Sequence, residues 1–301
     1  MHSALLLIFT TLWFKARGHV MIDPELGVDP DSRQPYVSQT SNISSFASGL
    51  YCSNGTRQSP ININFCVRST MTALRTEGHS INRSEGFTMI NTGTTAQINF
   101  GGSAPLLYGG PLPTGSSYDL VQAHFHWGPT DTQGSEHAQF GNYGPLEIHF
   151  VHKKSTYADL TAAIAQTDGL AVFGVIFALQ NSDNPKLDKI INQLTSIPNP
   201  SSSAATLDSD AMVWLDDVLS TFRYYNYPGS LTTHDCNEVV NWIVMHKTIG
   251  ISAAQVDKFR TLVNADGDTI PEARRAVQNL NDRVITCARG CLATPAPESI
   301  P

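Results

Sequence analysis

Apolar and polar residues alternate through the middle of the chain. In Val121-Gln122-Ala123-His124-Phe125-His126-Trp127 the odd positions are apolar and the even ones polar, the period of a strand with one face on a core. Leu146-Glu147-Ile148-His149-Phe150-Val151-His152 behaves similarly: Glu147, His149 and Val151 share one face, and Leu146, Ile148, Phe150 and His152 the other. Strands are predicted over Ala96–Phe100, Leu120–Gly128, Leu146–Lys153 and Leu170–Leu179, the last an unbroken apolar run suited to burial on both faces. Helical spacing is rarer. It predicts helices over Asp159–Gln166, over Pro185–Ser196 (where Leu187, Ile190, Ile191 and Leu194 form one stripe) and over Ala253–Val263. Asn199–Thr206 reads as a Pro/Ser loop, residues 19–50 as an irregular arm and 287–301 as a Pro/Ala-rich tail. With no repeat or linker between them, residues 51–286 are expected to form one mainly-β domain.

Composition narrows the function classes. The 301 residues include 19 Lys and Arg against 26 Asp and Glu, a net charge of −7. So few scattered cations exclude a phosphate-binding stripe, and with it nucleic acid as a partner. The longest apolar run, Ala4–Phe14, is too short for a membrane span. With Lys15-Ala16-Arg17-Gly18 after it, the run reads as a secretory signal, residues 1–18, cut after Gly18. The sequons at Asn42, Asn54 and Asn82 agree with export and are expected glycosylation sites, so the expected location is extracellular. The tail is not an anchor signal, which argues against a lipid anchor. Five cysteines in an oxidising compartment predict disulfides with one thiol left over, and their spacing excludes a CxxC knuckle. No feature specifies an oligomeric state.

Five of the ten histidines fall within residues 124–152. Side chains two apart on a strand share a face, so Gln122, His124 and His126 point together. If the two strands are antiparallel neighbours, His149 joins them. Three neutral imidazoles suit an open zinc site, in which water takes the fourth position. Gln122 and Glu147, on the same faces, are placed to accept the ligands' second ring N–H. A lone histidine is more often structural, but a His-x-His pair with polar orienters on its own face reverses those odds. A zinc protease is disfavoured, because HExxH is absent.

These segments resemble the alpha class of carbonic anhydrases, over roughly Tyr51 to Ile285. Gln58-Ser59-Pro60-Ile61-Asn62-Ile63 is similar to the family's opening motif, and Gln122–Gly128 and Glu147–His149 to its metal strands. Gly134-Ser135-Glu136-His137 resembles the segment carrying its buried glutamate. Tyr227-Pro228-Gly229-Ser230-Leu231-Thr232-Thr233 resembles the loop over the metal, with Asn241-Trp242-Ile243-Val244 following it. The resemblance implies a large, mostly antiparallel twisted sheet with short surface helices and Zn2+ at the base of a conical cavity. It implies a secreted enzyme whose zinc-bound hydroxide attacks carbon dioxide, releasing bicarbonate and a proton. The zinc ligands would be His124, His126 and His149. Thr232 would orient the hydroxide by donating its own proton to Glu136. Val151, Val172, Leu231, Thr233, Val240 and Trp242 would line the carbon dioxide pocket. Cys52 and Cys236 would form the disulfide of secreted members. Cys66, Cys287 and Cys291 have no counterpart: Cys287 is open to pairing with either of the others, and a leftover thiol to linking two chains.

The chain departs from the pattern in the N-terminal segment, where no gate tyrosine is recognisable, in the connection Ala138–Pro145, and at the proton-exporting position. Where fast members carry a proton-exporting histidine, Asn91-Thr92-Gly93-Thr94-Thr95 places Thr94, which does not titrate near neutrality. Turnover limited by proton release is therefore expected. His79 and His234 are alternative shuttles, each read as a surface histidine. The competing reading is a secreted, non-enzymatic relative acting as a matrix, storage or binding protein; the retained ligand set argues against it.

Overall fold

The computed structural model describes residues 50–80, 84–221, 223–233 and 235–288. The expected signal segment, the arm up to residue 49, Asn42, Asn82, His234, Cys291 and the tail beyond residue 288 lie outside the described residues.

The alternating segments pair into a sheet of thirteen strands. Its central path runs Ala205–Leu207, Phe87–Asn91, Ala96–Phe100, Ser117–Trp127, Leu146–Lys154, Leu170–Leu179, Val240–Met245, Tyr224–Gly229, Thr286–Cys287 and Val67–Arg68. Most neighbours are antiparallel; Leu170–Leu179 pairs in parallel with both Val240–Met245 and Ile249–Ile251. Residues 170–177 of that strand are buried throughout, as an apolar run covered on both faces requires. A smaller sheet joins Asn62–Ile63, Ala138–Gln139 and Asn142–Tyr143. The large mixed sheet with few short helices is the architecture that the resemblance implies.

The faces of the sheet carry different chemistry. On one, Phe125, Trp127, Ile148, Phe150, Phe173 and Val175 belong to the larger core. On the other, Val151, Val172, Val240 and Trp242 pack with Ile61, Ile63, Tyr225 and Tyr227 in a second cluster.

Helices are short and end where local bonds replace the ladder. Asp159 caps Leu160–Ile164 by accepting the Ala162 N–H, and Ser252 and Gln255 form a capping box at the start of Ala253–Arg260. The segment predicted as one helix over Pro185–Ser196 is instead three single turns, Pro185–Leu187, Asp188–Ile191 and Leu194–Ser196. Its apolar stripe is nevertheless buried, because each turn presents its leucine or isoleucine to the same core. The predicted Asn199–Thr206 loop also ends early: Ala205–Leu207 is an edge strand on Phe87–Met89.

Two disulfides link distant segments. Cys52–Cys236 ties the start of the domain to the loop after Thr232, and Cys66–Cys287 joins the last strands of the sheet. The sheet therefore takes in Cys287, past the residue 286 boundary expected from the sequence. Among the described residues no helix is long and apolar enough to cross a membrane.

Candidate metal centre

Pairing register assembles the site in rows across one face of the sheet. His149 lies directly opposite His124, and Glu147 opposite His126. The row through the two facing histidines continues to Gly174 on one side and Gln97 on the other. A side chain at 174 would bring its Cβ to 2.8 Å from Glu147 Oε1, so the glycine is what lets the carboxylate lie beside His149. The next row runs Gln122, Val151, Val172, Trp242 and Tyr227. It sets the aliphatic wall beside the imidazoles, two residues along the strand from His149. A β-bulge then breaks the register between Val151 and His152.

The rings of His124, His126 and His149 are packed edge to face or tilted, with centroids 4.3–5.4 Å apart. One nitrogen of each is engaged. His124 Nδ1 donates to Gln122 Oε1 at 3.0 Å, His126 Nδ1 to the Ala273 carbonyl at 2.8 Å, and His149 Nε2 to Glu147 Oε1 at 2.8 Å. These bonds set which nitrogen faces inward. His124 Nε2 and His126 Nε2 are buried without a hydrogen-bond partner, and one ligand atom from each of the three rings lies within 4.8 Å of the others. Burial keeps the rings neutral: His124 is pushed down to about 3, and His126 and His149 are lowered for the same principal reason. Three neutral nitrogens with inward lone pairs are the donor set of a metal ion.

Glu136 is fully buried behind them. Its Oε1 accepts the Arg275 backbone N–H at 2.7 Å, and Oε2 lies 3.7 Å from His149 Nδ1 with no hydrogen bond of full geometry. Burial and then the charge of Glu147 push its carboxyl up to about 8, opposed first by the Thr232 hydroxyl beside it. Thr232 is itself buried. Glu147 behaves oppositely. Burial alone would raise it, but the facing His137 and His149 hold it well below the usual carboxylate range.

Val151, Val172, Val240 and Trp242 are buried in the second core, with Leu231 half-buried against it. The Trp242 ring lies 4.7 Å from His149 and 4.8 Å from His137. Thr233 is half-buried and accepts the Cys236 N–H through its carbonyl. Thr94 sits half-buried in the turn before Ala96–Phe100, its hydroxyl 3.1 Å from that of Thr92. Asn54 is exposed at the end of the short helix Leu50–Asn54. His79 is not on the surface. It is 1% exposed, and its Nε2 meets His152 Nε2 at 2.8 Å within the larger core's face of the sheet.

Sequence reasoning missed the Ala273 carbonyl, the Arg275 backbone N–H and Gly174. The first two are main-chain groups with no residue-type signature, and a glycine's close approach shows only once strands are in register.

A buried three-histidine cluster, each ring oriented by a second bond and backed by an aliphatic wall on a large twisted sheet, defines the class: a β-sheet protein with a candidate metal centre. The model of the eukaryotic-type carbonic anhydrase family matches residues 44–289, and the chain belongs to that family. The general reaction of that family is the hydration of carbon dioxide.

Proposed function

We propose that the protein is a secreted zinc enzyme catalysing the reversible hydration of carbon dioxide. The observation that carries this reading is the convergence of His124, His126 and His149 with the inward nitrogens of His124 and His126 unpartnered. Zinc fits that set because it favours neutral imidazole ligands and leaves a fourth position for water. Bound there, it would supply the charge that lowers the pKa of a water molecule and makes it nucleophilic near neutrality, an effect for which carbonic anhydrase itself is the standard example.

The remaining steps belong to this chain's residues. Thr232 donates its hydroxyl proton to Glu136, so that its lone pairs accept from the attacking water and turn that water's free pair toward the substrate carbon. A cation held by His124, His126 and His149 would draw Glu136 down from its raised value and keep it an acceptor. Val151, Val172, Leu231, Val240 and Trp242 offer carbon dioxide an apolar surface, and Thr233 stands at its edge. Gln122 and Glu147 fix the ligand rings. Thr94 offers no titratable group for the departing proton, so turnover follows the supply of external buffer. Export is supported by the leader, the three sequons and two disulfides.

Stopped-flow carbon dioxide hydration across a buffer series tests this. Zinc-dependent hydration that rises with buffer concentration is expected. Fast, buffer-independent turnover would remove the Thr94 argument alone. No hydration by folded, zinc-loaded protein would leave the non-enzymatic reading.

A further inference from the structure

Glu147 accepts four hydrogen bonds. Oε2 takes the backbone N–H groups of Glu136 at 2.9 Å and His137 at 2.8 Å. Oε1 takes His149 Nε2 at 2.8 Å and His137 Nδ1 at 2.7 Å. His137 has thus committed one ring nitrogen to the carboxylate that orients a metal ligand. Its other nitrogen, Nε2, lies 2.7 Å from the Tyr227 hydroxyl.

That hydroxyl also touches Ser59 Oγ at 2.9 Å. Ser59 and Ser230 are bonded reciprocally: Ser59 N–H donates to Ser230 Oγ at 2.9 Å, and Ser230 N–H to Ser59 Oγ at 3.0 Å. Ser230 Oγ donates onward to the Leu231 carbonyl at 2.8 Å, one residue before Thr232. Either hydroxyl of the Tyr227–Ser59 pair is able to donate; with His137 Nδ1 donating to Glu147, the neutral ring takes the Tyr227 hydrogen at Nε2, which leaves the Ser59 hydroxyl to donate to Tyr227. His137, Ser59, Ser230 and Tyr227 are all completely buried, so an unmet partner has no water to replace it. The Tyr227 ring is stacked on Trp242 at an interplanar angle of 7°, and the Arg283 guanidinium lies 5.5 Å from its centroid. Gly229 makes the junction possible, since a Cβ there would sit 2.2 Å from Ser59 Oγ.

We propose that Tyr227 is a positioning residue that joins metal ligand His149 to the segment carrying Thr232. Its hydroxyl holds His137 in the form that donates to Glu147. Glu147, so oriented, holds the His149 ring, while the serine pair on the other side fixes the backbone leading into Thr232. The proposal rests on the zinc reading above.

Tyr227→Phe keeps the ring and its stacking but deletes the hydroxyl. In the full chain loaded with zinc, metal transfer to a chromogenic chelator is expected to run about tenfold faster than in the wild type, within the range typical of groups one bond removed from the ligands. Glu147→Gln alone is expected to speed it by about 10- to 100-fold, and the double variant to be no faster than Glu147→Gln. Multiplying rates would overturn the proposal, because Tyr227 would then not act through Glu147. A Tyr227→Phe rate equal to wild type would overturn it too. If near-ultraviolet dichroism shows that Tyr227→Phe has lost its fold, Ser59→Ala decides: faster zinc transfer supports the chain, and an unchanged rate overturns it. A wild type that retains no zinc by metal analysis fails the zinc reading itself. Zinc-retaining wild type with an unaffected variant fails only the coupling.

Discussion

The strand Leu146–Lys154 carries a buried histidine cluster on each face, and the two have opposite designs. On one face His149 meets His124 and His126; on the other His152 meets His79. Burial treats them alike: it pushes both His124 and His152 down to about 3. The nitrogens differ. His152 Nδ1 donates to the Phe150 and Ala171 carbonyls, at 2.9 and 3.2 Å, and its Nε2 faces His79 Nε2. In the triad, each ring has one engaged nitrogen while its other faces inward toward the shared centre. A depressed pKa therefore does not mark a metal ligand. The convergence of one nitrogen from each of three rings within 4.8 Å marks the candidate site.

The contrast is broken or sharpened by substitution. His149→Ala is expected to take zinc content from about one per chain to near none and to abolish hydration, because two ligands do not make the site. Metal analysis of the purified protein reads this directly, and a variant that keeps its zinc would end the distinction. Thr232→Ala leaves the ligands intact and is expected to lower kcat/KM about a hundredfold, as loss of one oriented bond at the reacting centre does, with zinc content unchanged.

On the opposite face, His152→Leu is expected to retain zinc and to cost about 2 kcal/mol in urea denaturation, by leaving a buried partner unmet. The same variant carries a pH signature. The folded pKa of His152 is about 3, held down by burial, below the ordinary value of 6.5. Between those pH values the unfolded chain takes up a proton that the folded one refuses, so His152 makes stability fall as pH falls. Denaturation of metal-free protein should show His152→Leu with a shallower acid slope, by up to about 1.4 kcal/mol per pH unit. Parallel slopes would mean the ring already titrates in the fold. The smallest effect is a gain. Thr94→His is expected to raise hydration about tenfold at low buffer and to leave it nearly unchanged at high buffer, by supplying the missing titratable group.

Strand signals in the sequence are strong where the period is two or the apolar run unbroken. Ala96–Phe100 and Leu170–Leu179 are observed with the predicted bounds, and the two histidine strands differ only at their ends. The stripe over Pro185–Ser196 does not make one helix, because a stripe specifies a buried face and three separate turns provide that face equally well. His79 is buried against the surface expectation, because a histidine outside a periodic segment gives no sign of depth. Its burial depends on a strand 73 residues away.

What the sequence by itself determined is local. Alternation put Gln122, His124 and His126 on one face and Glu147 and His149 on another, and the joint motifs identified the family. The tertiary structure decided register, and with it everything that depends on distance. It set His149 opposite His124, brought the Ala273 carbonyl to His126 and gave Glu147 room beside Gly174. It also paired Cys66 with Cys287, across a separation of 221 residues. The reason is physical. Which face a side chain takes follows from the geometry of its own strand, whereas which lone pair stays unpartnered depends on atoms contributed from every strand that packs around it.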